Sequence, residues 1–149
     1  MIFAIGAVTA YLFACGGDKN AEEPGQKGGP TPSNEAAISG TITVDPGLKD
    51  KIGKEPLLMI MASTSSEATK PALVVKRVAA ANFPYDYKLT AEDITLVGSS
   101  FSGKMYVTAR IDSAGMVGPP RPGTFAGIYS ANPVPVGSAK VDIVINKAY

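Results

Sequence analysis

Few residue types in this chain are suited to chemistry. It holds one cysteine, Cys15, and neither histidine nor tryptophan. A thiol works as a thiolate, which needs a cationic neighbour to depress its pKa. Cys15 lies in "YLFACGGDKN" with no Lys, Arg or His beside it. Without histidine there is no Ser-His-Asp or Cys-His site, no C-x-x-C-H haem attachment and no ordinary blue-copper centre. One Cys cannot fill a tetrahedral zinc site, and it allows no intrachain disulfide. No metal and no cofactor is expected. Glu92 and Asp93 are neighbours in a turn-like stretch, where solvated charges are commoner than an acid/base pair. "GSSFSG", Gly98 to Gly103, lacks a following helix and a Lys in P-loop register. The expectation is a protein that is not an enzyme. A hydrolase using carboxylates is the enzymatic alternative, and no constellation of residues supports it.

If Cys15 is a poor nucleophile, its position suggests an address. Met1 to Ala14 carry no charge and form an apolar run. The run has the length of a signal-peptide core and falls short of the ~20 residues that span a bilayer. "LFAC" followed by Gly16 and Gly17 resembles the bacterial lipobox, in which the Cys thiol receives diacylglycerol and the signal is cut before it. Two or three acyl chains then anchor far more firmly than one. No Lys or Arg precedes Cys15, unlike the usual basic start, and the alternative is an uncleaved membrane helix over Met1–Gly17. The stretch "GGDKNAEEPGQKGGPTPSNEA" is Gly, Pro and charge. It buries too little apolar surface to offset its ordering entropy. The expected layout is a signal or membrane segment over 1–14, a lipid-anchored linker over 15–36 and a folded domain over 37–149. The domain would stand on the periplasmic side of a bacterial membrane, inner or outer left open.

The elements that position any site are short alternating runs. "ISGTITV" puts Ile38, Gly40, Ile42 and Val44 on one face; "KMYVTARID" does the same for Met105, Val107, Ala109 and Ile111; "KVDIVI" buries Val141, Ile143 and Ile145. Period-two alternation indicates a sheet with one wet face. "LLMIMA" is continuously apolar and reads as a central strand, and "YDYKL" groups Tyr85, Tyr87 and Leu89. In "ALVVKRVA" the pairs Leu73/Val75 and Val74/Val78 compete for the inner face. Turn chemistry falls at "DPG", "NFP", "SGK", "SAG" and "PPRPG". One short helical turn is expected at "LKDKI". With 16 Gly, 12 Pro and no long helical pattern, the fold class is all-β: an antiparallel sandwich of about six to eight short strands.

The candidate binding residues are Arg110, Met116, Pro120, Arg121, Phe125 and Tyr129. Arg110 falls on the outward face of its strand, where it meets a partner carboxylate, a partner within the sheet, or water. Met116 to Phe125 include three prolines in a stiff, partly apolar loop. Such a loop suits docking because its entropy is already spent, and it equally suits linking strands. Tyr85, Tyr87, Tyr106 and Tyr129 have rings favoured at interfaces and equally common on sheet faces. Fourteen basic and thirteen acidic residues are spread without a basic block, so nucleic acid is not an expected partner.

The ordered set "ISGTITVDPGLKDKI", "PLLMIMAS", "KPALVVKRV", "FPYDYKLTAED", "MYVTARIDSAGMVGPPRPG" and "VGSAKVDIVI" resembles the C-terminal periplasmic domain of CcmH/CycH-type cytochrome c biogenesis proteins over Ile38 to Asn146. The resemblance implies a β-sandwich outside the cytoplasmic membrane that assists the handling of apocytochrome c before haem attachment. Full-length members add membrane helices and tetratricopeptide repeats, which these 149 residues do not display. The first expectation is therefore a lone, lipid-anchored domain acting as a protein-binding subunit of a cytochrome-containing electron-transfer complex, respiratory or photosynthetic. The alternative is a cytochrome c maturation factor that handles apocytochrome c. Either reading makes a c-type cytochrome or its complex the partner.

Overall fold

A computed structural model describes residues 36–149. The apolar start, Cys15 and the linker lie outside the described residues. The described chain folds into nine strands in two sheets. The smaller sheet has the order β4-β1-β8, with β1 at Ala37–Val44, β4 at Tyr85–Thr90 and β8 at Ile143–Ile145. The larger has the order β3-β2-β5-β6-β9, built from β2 (Leu58–Ser63), β3 (Val74–Val78), β5 (Lys104–Ile111), β6 (Phe125–Ile128) and β9 (Lys147–Ala148). A two-residue strand, β7 (Val134–Pro135), pairs with the start of β5. The all-β sandwich expected from the alternation is present. The strand number reaches nine because β7 and β9 are too short to leave a period-two signature.

The core follows the alternation. Ile38, Ile42 and Val44 of β1 meet Met105, Val107, Ala109 and Ile111 of β5, with Ile60 of β2 and Leu89 of β4, all buried in one cluster. Burying an aliphatic side chain of this size contributes about 1.5–3 kcal/mol. β2 lies between β3 and β5, the interior place its unbroken apolar run calls for. The competition in β3 resolves with Val74 in the core and Val78 packed against it, while Leu73 enters from the preceding loop. Edge position explains the rest of that strand. Lys76 shares the inner side and spans to the other sheet, where Nζ donates to the Lys88 carbonyl (2.9 Å) and lies 3.6 Å from Asp93. An inward-pointing lysine also protects an edge from unwanted pairing.

One pairing departs from the antiparallel expectation. β8 runs parallel to β1, with Ile42 opposite Ile143 and Val44 opposite Ile145. The chain approaches this register along 137–141, where Ser39 N–H donates to Ser138 and Val141 N–H donates to Ser39. Gly40 makes the approach possible: a Cβ there would stand 2.2 Å from the Val141 carbonyl oxygen. Tyr87, opposite Gly40 in register, donates its hydroxyl to the same carbonyl at 2.7 Å. Its phenol is raised above the usual range by burial first, then by Asp142 and Tyr129. Tyr87 is therefore a locked hydrogen-bond donor, with no acid/base role.

The last strands join the sheets. β8 belongs to the smaller sheet, and two residues later β9 pairs with β6 of the larger. Gly127 of β6 lies against the Val144 backbone, where a Cβ would be 2.2 Å from the carbonyl oxygen. The short helical turn expected at "LKDKI" is a 3-10 turn over Lys49–Lys51. A second 3-10 turn covers Ala91–Asp93. There Asp93 accepts from Thr90 N–H (3.0 Å) and Thr90 Oγ1 accepts from Glu92 N–H (3.3 Å). Asp93 is thus a capping residue.

Candidate functional site

The outer face of the larger sheet carries the site. Side chains facing away from the core on β5 are Tyr106, Thr108 and Arg110, and in register beside them on β2 are Ser63, Met61 and Met59. On β6 the same rows continue with Ile128 opposite Thr108 and Ala126 opposite Arg110. A wet face would leave these residues in solvent. Instead Met59 is fully buried, although it lies outside the core cluster.

The proline-rich loop between β5 and β6 is the reason. It does not project. Arg110 donates from Nη1 to the Gly118 carbonyl at 2.6 Å, and Arg77 donates from Nε to the Gly115 carbonyl at a long 3.4 Å. These two arginines flank Met59 in register, so they draw the loop across the sheet over it. Asp112 ties the loop's start, its Oδ1 accepting from Ala114 N–H at 2.8 Å. Thr124, buried at the loop's end, stands 3.5 Å from the other Asp112 oxygen.

Beside this loop the face opens into a groove of about 390 Å³. Met61, Thr108, Ala126 and Ile128 lie along it, Val117 and Pro120 line it from the proline-rich loop, and the stretch from Ser65 to Ala72 lines it as well. Arg110 reaches it, as do Tyr106, Tyr129 and Tyr149. Ile128 and Val117 remain exposed at 64% and 42%. An apolar concavity with a few polar groups is the usual form of a recognition site. The wall is stiffened at one corner by Asn132, whose side-chain amide both accepts from Val107 N–H and donates to Val107 C=O, each at 2.9 Å.

The residues singled out from sequence divide. Arg110, Pro120 and Tyr129 line the groove, whereas Met116, Arg121 and Phe125 do not. Met116 and Arg121 are exposed on the loop. Phe125 packs against the core, opposite the inward Ile111. Cys15 lies outside the described residues. Arg110 neither sits in water nor pairs with a side chain of the sheet among the described residues. It is 8% exposed, its one hydrogen bond goes to a backbone carbonyl, and its Nε is buried without a partner. The ion pairs among the described residues, Glu67–Lys70 and Asp93–Lys76, do not involve it. Sequence reasoning missed Met61, Val117 and Ile128. Their hydrophobicity was plain, but an outward apolar residue announces a site only when its neighbours are known. Among the described residues no group of His, Cys, Asp or Glu is placed to hold a metal ion, and no helix is long and apolar enough to cross a membrane.

Comparison with known proteins bears on the whole sandwich. The family described as "Cytochrome c-type biogenesis protein H Ig-like domain" matches residues 38–146, from the second residue of β1 to the residue before β9. A protein of Aquifex aeolicus (strain VF5), described as an uncharacterized protein, is 29% identical over 112 residues, covering 75% of this chain and 71% of that one. No solved structure matches. The match takes in strands of both sheets and all of the groove's lining but Tyr149, and on that basis the chain belongs to the cytochrome c-type biogenesis protein H Ig-like domain family.

Proposed function

We propose that this domain serves cytochrome c maturation as a non-enzymatic binding module that holds a polypeptide partner, apocytochrome c, along the outer groove of the larger sheet. The observation that supports it is the family match over residues 38–146, which takes in nearly every strand. The match favours maturation over the resident-subunit role expected first from the sequence. The groove supplies a surface for the role, with exposed Val117 and Ile128 beside it and apolar length to receive an extended chain. The absence of histidine from the sequence favours binding over catalysis. The work is done on the periplasmic side of a membrane, with Cys15 as the lipid attachment point.

A deletion strain tests the role. Maturation predicts that haem-stained c-type cytochromes fall together, and that restoring the gene restores them. A full complement of c-type cytochromes in the deletion strain, with the protein co-purifying stoichiometrically with one assembled complex, refutes it.

A further inference from the structure

The groove contains one group that its apolar character does not explain. Arg110 is a cation more than nine-tenths buried, with Nε unpartnered and no carboxylate at ion-pair distance among the described residues. A buried charge is costly unless it is paired, and replacing it with an apolar side chain of similar size often stabilises a protein. The bond from Nη1 to the Gly118 carbonyl uses one edge of the guanidinium, and the loop has further ties at both ends, the Asp112 turn at one and the Thr124 N–H bond to the Arg121 carbonyl at the other. The acidic residue among those lining the groove, Glu67, is paired with Lys70 at 3.2 Å. A guanidinium offers a planar fork that matches a carboxylate.

We infer that Arg110 is the recognition residue of the groove and takes a carboxylate presented by an extended, apolar segment of the partner polypeptide. This rests on the groove being the binding surface proposed above. Charge complementarity fixes the anion, and the apolar residues along the groove, Met61, Val117 and Ile128, fix the character of the residues flanking it. The carboxylate comes from an Asp or Glu side chain or from a chain terminus, both offering the same two oxygens.

Three fluorescein-labelled pentapeptides separate the sources: Ala-Val-Glu-Val-Ala amide, the same peptide with Gln for Glu, and the Gln peptide ending in a free carboxylate. Fluorescence anisotropy on the full chain is expected to show the Glu peptide binding about tenfold more tightly than the Gln amide, the margin of one charge-assisted hydrogen-bond pair. Tighter binding of the free-carboxylate peptide instead sustains the site and assigns a terminus. Arg110→Met is expected to abolish the difference between peptides while leaving the weak binding of the Gln amide in place. It is also expected to raise the peptide-free Tm, by about 4 °C or more. Equal binding of all three peptides overturns the carboxylate assignment and leaves the groove standing. Binding of none overturns the assignment and the groove together. A lowered Tm in Arg110→Met, with no peptide discrimination in the parent protein, makes the arginine structural and overturns the assignment too. A Tm that falls by several degrees in a Glu22→Gln, Glu23→Gln double variant shows that this chain's own carboxylates fill the site, which overturns a partner as occupant.

Discussion

Asn132 offers the sharpest test of how the groove is built. Its amide behaves as a miniature strand, exchanging two 2.9 Å hydrogen bonds with the backbone of Val107. Val107 is fully buried. In Asn132→Ala the Val107 carbonyl keeps the N–H of Tyr129 at 3.2 Å, so its loss is small. The Val107 N–H keeps nothing, and an orphaned buried donor costs about 1–3 kcal/mol. Adding a fraction of the second bond gives an expected loss of about 2 kcal/mol, or a Tm lower by roughly 8 °C in a domain of about a hundred residues. Urea unfolding should show the same loss as a shifted midpoint with an unchanged m-value. The exposed neighbour Ser130 serves as control, since Ser130→Ala should stay within about 0.5 kcal/mol. An Asn132→Ala loss no larger than that of the control would show that the amide is not the partner of Val107, and the account of this wall would be wrong.

Further outcomes follow from the same geometry. Gly127→Ala and Gly40→Ala each set a Cβ about 2.2 Å from a backbone oxygen; each should cost at least the 1–3 kcal/mol typical of overpacking, read from thermal unfolding, and a neutral result would place the segments further apart. Tyr87→Phe should lose about 1–2 kcal/mol by stranding the Val141 carbonyl. Because the Tyr87 phenol is raised in the folded state, its contribution is whole below the unfolded value near pH 10 and is lost as pH rises further. Stability of the parent protein should therefore fall more steeply above about pH 10 than that of Tyr87→Phe, and parallel curves would contradict the assignment. Cys15→Ser should release the protein from the membrane fraction, and mass spectrometry of the parent should find an amino-terminal peptide beginning at a lipidated Cys15; an intact Met1 peptide without lipid would end the lipobox reading.

Much of the sandwich was legible because burial imposes period two on a strand. Ile38, Ile42 and Val44, or Met105, Val107, Ala109 and Ile111, declare their inner face without help from the rest of the chain. What stayed hidden depends on distant segments. Gly40 alternates as an inward residue, but only the crossing of 138–141 shows why nothing larger fits. Phe101 in "GSSFSG" is buried in the core, although its polar neighbours suggest an exposed loop. The parallel pairing of β1 with β8 leaves no local mark, since alternation is the same in either direction. The site was legible in part. Arg110 was placed on the correct face, while its burial depends on the loop folding back to Gly118. The prolines of that loop signalled stiffness and could not signal direction.

The parallel contact between β1 and β8 also governs when the domain can finish folding. Thr41 and Asp142 are bonded across 101 positions of chain, and contacts at such separation form slowly because a long loop must close first. Until they form, one edge of β1 lacks its partner, and an open edge invites other strands. A ribosome releasing this chain from its amino end delivers β1 first of the described strands and its neighbour β8 next to last. The smaller sheet is therefore completed only after nearly the whole domain has emerged, and until then β1 is held by β4 alone.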